Sequence, residues 1–393
     1  MFNNKVLQQF KNLETPFYHY DLNLLSQTLA KVKLLADKYQ FDIHYAVKAN
    51  CNIPVLKKVL DFGFGADCVS GNEIRLSIDT GFSSDKVLFA GVGKTDKEIR
   101  YALSQNIKAF NCESIQEIEV IDELAGEMGR VTDIALRINP NVDAKTHKYI
   151  TTGLDENKFG INQGDLPKVI EKLWPLKNVK LTGLHFHIGS QITDMNVFKG
   201  LCLRVNQISK WFTDHGANIQ HINLGGGLGI NYLNPDEENI PDFETYFSIF
   251  NEFLERNQDQ KIQFELGRSI VAQCGNLISR VVYIKEGLNT NFAIIDAGMT
   301  ELMRPALYQS YHRIDNLSSS KGTSDHENMV EYDVVGPICE STDCFGKAVK
   351  LPETKRGDLI AIRSAGAYGE VMISNYNLRD KNEAFYTASK NLN

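Results

Sequence analysis

Eight short runs of strand-forming residues, each followed by a segment with helical spacing of apolar side chains, occupy positions 42–266 of this chain. The runs fall at 42–48, 65–70, 86–91, 107–112, 133–139, 181–188, 221–225 and 262–266. Between them lie amphipathic stretches such as Ile53–Phe62, Ile115–Met128, Leu166–Trp174 and Phe243–Arg256. Strand–helix alternation implies parallel pairing, because a parallel neighbour needs a long crossover connection. Eight such units match a (β/α)8 barrel; a doubly wound sheet shares the local pattern, but the strand count favours the barrel.

After about residue 270 the rhythm changes. Leu277–Ile284, Phe292–Asp296, Glu331–Val335 and Asp358–Arg363 read as strands separated by turns, with little helical pattern between them. The chain has 393 residues, and a single core stops growing near roughly 250–300 residues, so two domains are expected. The predicted architecture is α/β: a TIM-like (β/α)8 barrel over 25–268, then a mostly β C-terminal domain over 269–393, which residues 1–24 can join. Ile314–Glu327, rich in Ser, Asp, Asn and Lys, reads as a loop.

Composition removes several function classes. The net charge is −7 and there is no dense Lys/Arg block, which argues against nucleic acid. No apolar stretch has the length of a signal peptide or a membrane span, so a cytoplasmic location is expected. Seven cysteines at irregular spacing, with no Cys-x-x-Cys, fit reduced thiols better than a disulfide framework or a zinc site, and no metal is expected.

In a (β/α)8 barrel the active site lies at the C-terminal ends of the strands. The predicted strands close on Lys48; on Asp67, with Glu73 just beyond; on Arg137-Ile-Asn-Pro; on His185-Phe-His187-Ile-Gly-Ser190; on Gly225-Gly226-Gly227-Leu-Gly; and on Glu265-Leu-Gly267-Arg268. Each has an ordinary explanation when taken alone: an exposed lysine, a core histidine, a tight glycine turn, a surface ion pair. Gly225–Gly229 is not a dinucleotide fingerprint, since Ile230 stands where the third glycine would be. Together the strand ends offer an amine, an aromatic ring, backbone N–H groups for a phosphate and a carboxylate, which are the needs of pyridoxal 5'-phosphate.

Ordered motifs along nearly the whole chain carry a resemblance. They are Tyr45-Ala-Val-Lys48-Ala-Asn50, Gly65-Ala-Asp67-Cys-Val-Ser-Gly-Asn-Glu73, Tyr149–Ile161, His187-Ile-Gly-Ser190-Gln-Ile192, Gly225-Gly-Gly227-Leu-Gly-Ile230, Glu265-Leu-Gly-Arg268, Arg304-Pro-Ala-Leu-Tyr308, Cys339-Glu340-Ser341 and Gly366-Ala-Tyr368-Gly369. With them the chain resembles the fold-type III pyridoxal-phosphate decarboxylases, and within these the branch that converts meso-2,6-diaminopimelate to L-lysine. The resemblance implies the following roles. Lys48 holds the cofactor covalently, and Asp67 and Glu73 tune its surroundings. His187 stacks on the pyridine ring, Ser190 with Gly225, Gly226 and Gly227 binds the phosphate, and Glu265 faces the ring nitrogen. Gly267 and Arg268 complete the cofactor site, and Tyr368 reaches both phosphate and substrate. Arg268 and Arg304 receive carboxylates, Glu340 and Tyr308 the distant amino end, and Cys339 returns a proton to Cα. It further implies a homodimer with shared active sites. The alternatives are a carboxynorspermidine or other basic amino acid decarboxylase of the same fold, or a non-catalytic homologue that binds the cofactor. Two departures from the family pattern stand out: Leu266 replaces the usual proline, and Ser374–Asp380 lacks the usual Asn-Ser/Thr-Arg-Pro ending.

Overall fold

The computed structural model describes residues 2–142, 158–257, 259–319 and 329–388. The chain divides into two compact units. One comprises Thr28–Gly229 with Asp242–Arg268; the other comprises the chain up to Gln27, Ile230–Pro241 and everything from Ser269 onward.

The first strand, β1 (Phe17–Asp21), belongs to the second unit. The next eight close a parallel barrel: β2 (Phe41–Ala46), β3 (Gly65–Cys68), β4 (Val87–Phe89), β5 (Ala109–Cys112), β6 (Thr132–Arg137), β7 (Val179–His185), β8 (His221–Asn223) and β9 (Lys261–Leu266). Closure is made at Tyr45, which is in register with Ala66 on one side and Leu266 on the other. Side chains alternate across each strand. On β9, Phe264 packs outward among Phe41, Phe247 and Phe250, with ring centroids 5.1, 5.0 and 5.0 Å away. Its neighbour Glu265 turns inward and meets β5, on the far side of the barrel. Two buried imidazoles, His44 and His221, sit against Gly65 and Gly183, where any Cβ would collide with the ring.

The second unit is built on a sheet. Its strands are β10 (Gly275–Glu286), β11 (Asn291–Ile295), β12 (Ile314–Asn316), β13 (Met329–Val335), β14 (Cys344–Pro352), β15 (Leu359–Ile362) and β16 (Phe385–Thr387). The order is β12-β15-β10-β11-β13-β14, with β1 antiparallel to β10 and parallel to β16. Phe10, Phe17, Ile278, Leu359 and Ala361 form its buried cluster.

Two differences from the sequence reading have physical causes. Ile314–Asn316, read as loop, is a buried strand antiparallel to β15. Its polar residues are paired: Asn316 donates to Thr354 and Asp358, each at 3.0 Å, and Asp315 accepts from Arg363 at 2.9 Å. Residues 320–327 of that predicted loop lie outside the described residues. β14 was not predicted at all, because its two lysines, Lys347 and Lys350, break the apolar pattern; as an end strand it can carry them.

Candidate active site

The barrel gathers one group of predicted residues at the C-terminal rim. β2 ends at Ala46, two residues before the predicted strand end, and Lys48 lies in the 3-10 turn Val47–Ala49 that follows. That turn is anchored by Asn50, whose carbonyl accepts from the buried Tyr45 hydroxyl at 2.8 Å. Lys48 Nζ is 2.5 Å from Asp67 Oδ2, at the end of β3, and Asp67 is fully buried. Burial and the Glu265 charge raise the Asp67 carboxyl, while the Lys48 ammonium partly offsets them. Glu73 accepts the Val69 N–H at 2.8 Å in the first turn of the following helix, and burial raises its carboxyl too.

His187 follows β7. Its Nδ1 accepts the Gly226 N–H at 3.2 Å, so in the neutral ring Nε2 carries the hydrogen. Burial first, then the Arg137 and Lys48 charges, push His187 down to about 3 and keep it neutral. The glycine run after β8 lies close to its surroundings. Gly225 and Gly227 have φ of 66° and 114°, values that favour glycine. A Cβ at Gly226 would run into the Glu265 carbonyl oxygen. Ser190 Oγ accepts from Arg268 Nε at 3.1 Å, and Arg268 opens a short helix directly after Gly267. Leu266, in place of the family's proline, is buried and continues β9 in register with Tyr45.

The Glu265 side chain meets three partners inside the barrel. Its Oε1 accepts from Asn111 at 2.9 Å and Asn223 at 2.7 Å, and its Oε2 is 3.0 Å from His185 Nε2. Burial alone would raise this carboxyl, but the His185 contact and the Lys48 charge override it and hold Glu265 well below the usual carboxylate range. Arg137 donates to Glu113 at 2.7 Å and lies over the Phe159 ring at 4.7 Å. The sequence reading assigned no role to Asn111, Glu113, His185 or Asn223. His185 was detectable, since the predicted strand 181–188 holds it two residues from His187, on the same face under period-two alternation. The motif residues 149–157 lie outside the described residues.

The second unit carries the other predicted residues. Arg304 begins a five-residue helix ending at Tyr308 and is buried; its Nε donates to His312 Nε2 at 3.3 Å and its Nη2 to Ser310 at 3.2 Å. Cys339 and Glu340 occupy an exposed turn between β13 and β14. The divergent stretch Ser374–Asp380 holds that turn: Asn377 accepts the Cys339 N–H at 3.2 Å, and the Tyr376 hydroxyl donates to Glu340 at 2.8 Å. Tyr368 has φ of 55°, a conformation that costs about 1–3 kcal/mol for a non-glycine residue.

The barrel, with an amine, a buried carboxylate and a glycine run on one rim, is matched over residues 25–272 by the family described as pyridoxal-dependent decarboxylase, pyridoxal binding domain. The chain belongs to that family. It is 52% identical to a diaminopimelate decarboxylase of Bacteroides thetaiotaomicron over 375 residues, 95% of this chain and 96% of that protein. Among solved structures, the Helicobacter pylori diaminopimelate decarboxylase complexed with L-lysine aligns with a TM-score of 0.89 at 38% identity, covering 97% of this chain and 93% of that one. The arginine decarboxylase of Paramecium bursaria Chlorella virus, at 21% identity and a TM-score of 0.85, shares the fold, covering 98% of this chain and 100% of that one. No helix among the described residues is long and apolar enough to cross a membrane.

Proposed function

We propose that this chain decarboxylates meso-2,6-diaminopimelate to L-lysine, using pyridoxal 5'-phosphate, as a homodimer with shared active sites. The observation that carries the reading is the pairing of Lys48 with buried Asp67 on the rim that also holds Glu265 and Gly225–Gly227. This donor set fits the cofactor: an amine for its aldehyde, a side-chain-free backbone run for its phosphate, and an ionised carboxylate for its ring nitrogen. When bound, the cofactor supplies an electron sink for the pair left at Cα as carbon dioxide departs.

The chain's own residues do the rest. Lys48 would hold the cofactor through its Nζ amine, with Asp67 beside it. Neutral His187 offers a flat ring face without adding charge. Ser190, Gly225, Gly226 and Gly227 receive the phosphate, and Gly267, Arg268 and Tyr368 belong to the same cofactor-binding set. Arg268 and Arg304 bind carboxylates through two-pronged guanidinium contacts. Glu340 and Tyr308 receive the far ammonium, and Cys339 delivers a proton to Cα. The exposure of Cys339 and Glu340 in the single chain supports the dimer, in which that turn enters the partner's site. Carbon dioxide release from meso-diaminopimelate, ornithine, arginine and carboxynorspermidine tests the assignment. Turnover confined to one of the other three amines overturns it.

A further inference from the structure

We propose that His185, together with Asn111 and Asn223, positions the Glu265 carboxylate so that one lone pair of Oε2 is left for the pyridine nitrogen. This rests on the cofactor reading above and goes beyond it, since the three residues touch Glu265 rather than the cofactor.

The argument is a count of donors and lone pairs. Glu265 is buried at the end of β9, and its three partners come from three different strands, β5, β7 and β8. The Asn223 orientation is determined by its neighbours: its Oδ1 accepts the Gly225 N–H at 2.9 Å, so its Nδ2 must face Glu265. An ionised carboxylate accepts at about two sites per oxygen. Oε1 takes both asparagine donors and is filled. Among the described residues Oε2 takes only His185 Nε2–H, which leaves room for one further donor. His185 Nδ1 is buried and makes no hydrogen bond among the described residues, so Nε2 is the ring nitrogen committed to Glu265. The glycine loop is tied to the same assembly, because Glu265 N–H donates to the Gly225 carbonyl at 2.7 Å.

The physical need is clear. A buried carboxylate without donors takes up a proton. It would then present an O–H to the ring nitrogen, which disfavours the protonated pyridine required of an electron sink. Three donors from a rigid barrel keep the acceptor-only form and fix the direction of its open lone pair.

The test uses the full-length protein and pyridoxal phosphate labelled with nitrogen-15 in the ring. Two quantities are read: equilibrium affinity for the cofactor and the ring-nitrogen chemical shift. In His185→Leu the affinity should fall by about tenfold, the lower end of what loss of a supporting hydrogen bond costs at a bound centre, and the resonance should move towards the unprotonated position. His185→Gln, which keeps a donor, should restore most of both. Asn111→Leu, which removes a donor from another strand, should shift the resonance the same way and serves if His185→Leu does not fold. Wild-type protein that binds no pyridoxal phosphate overturns the cofactor reading itself. Wild-type binding with unchanged affinity and shift in His185→Leu, or in Asn111→Leu where only that variant folds, overturns the positioning role alone.

Discussion

Gly226→Ala isolates the geometric demand at the rim from ordinary glycine effects. Gly226 does not have a left-handed φ, so alanine is acceptable to its own backbone. The obstacle is spatial. The new Cβ would fall about 1 Å short of ordinary contact with the Glu265 carbonyl oxygen. That oxygen belongs to the backbone of β9, so no side-chain rotation relieves the overlap. Overpacking of this kind costs about 1–3 kcal/mol. The larger effect should be on binding, since the shift is passed to the residue that carries the Glu265 carboxylate, and a displacement of about 1 Å can cost about 100-fold in a positioned site. The assay compares the unfolding midpoint of cofactor-free protein with pyridoxal phosphate affinity. Gly200→Ala is the matched control: it lies within the helix Asn196–Asp214, and its Cβ would meet nothing within 4 Å. It should stabilise by about 0.5–1 kcal/mol and leave cofactor binding unchanged. Unaltered cofactor affinity and turnover in Gly226→Ala would refute the reasoning.

Lys48→Ala should remove covalent attachment: after borohydride reduction, mass spectrometry should find no cofactor adduct, and turnover should be lost. Cys339→Ala should slow turnover while leaving cofactor affinity intact; mixed with Lys48→Ala subunits, it should recover about a quarter of wild-type activity if sites are shared in a symmetric dimer. Recovery of none would count against sharing. Four histidines, His19, His44, His187 and His221, are pushed down to about 4, 3, 3 and 4, with burial the leading cause at each. Each folded value lies below the ordinary 6.5, so the unfolded chain binds more protons in between and their contribution to stability falls as pH drops from 6.5 towards 3. His44→Asn keeps a donor for the Lys86 carbonyl but cannot titrate, so between pH 4 and 6 its stability should fall less steeply, by up to about 1.4 kcal/mol per pH unit. An unchanged slope in urea unfolding would exclude His44 as a contributor.

Much of the barrel was legible in the sequence because buried parallel strands read as continuous apolar runs and their ends break that pattern with polar residues. Lys48, Asp67, His187, Gly225–Gly227 and Glu265 stood out for that reason. β12 and β14 did not, since one is polar and paired through side chains and the other is an end strand carrying lysines.

The order of strands and helices, the amine at the end of the first barrel strand and the glycine run are local properties, written in consecutive residues. The environment of Glu265 is not. Its donors stand 154, 80 and 42 residues away along the chain: Asn223 on β8, the direct neighbour of β9, His185 on β7 beyond it, and Asn111 on β5 across the barrel. No periodicity encodes which asparagine faces which carboxylate. Barrel closure decides it, because it brings three separate strand ends within hydrogen-bond reach of one buried charge.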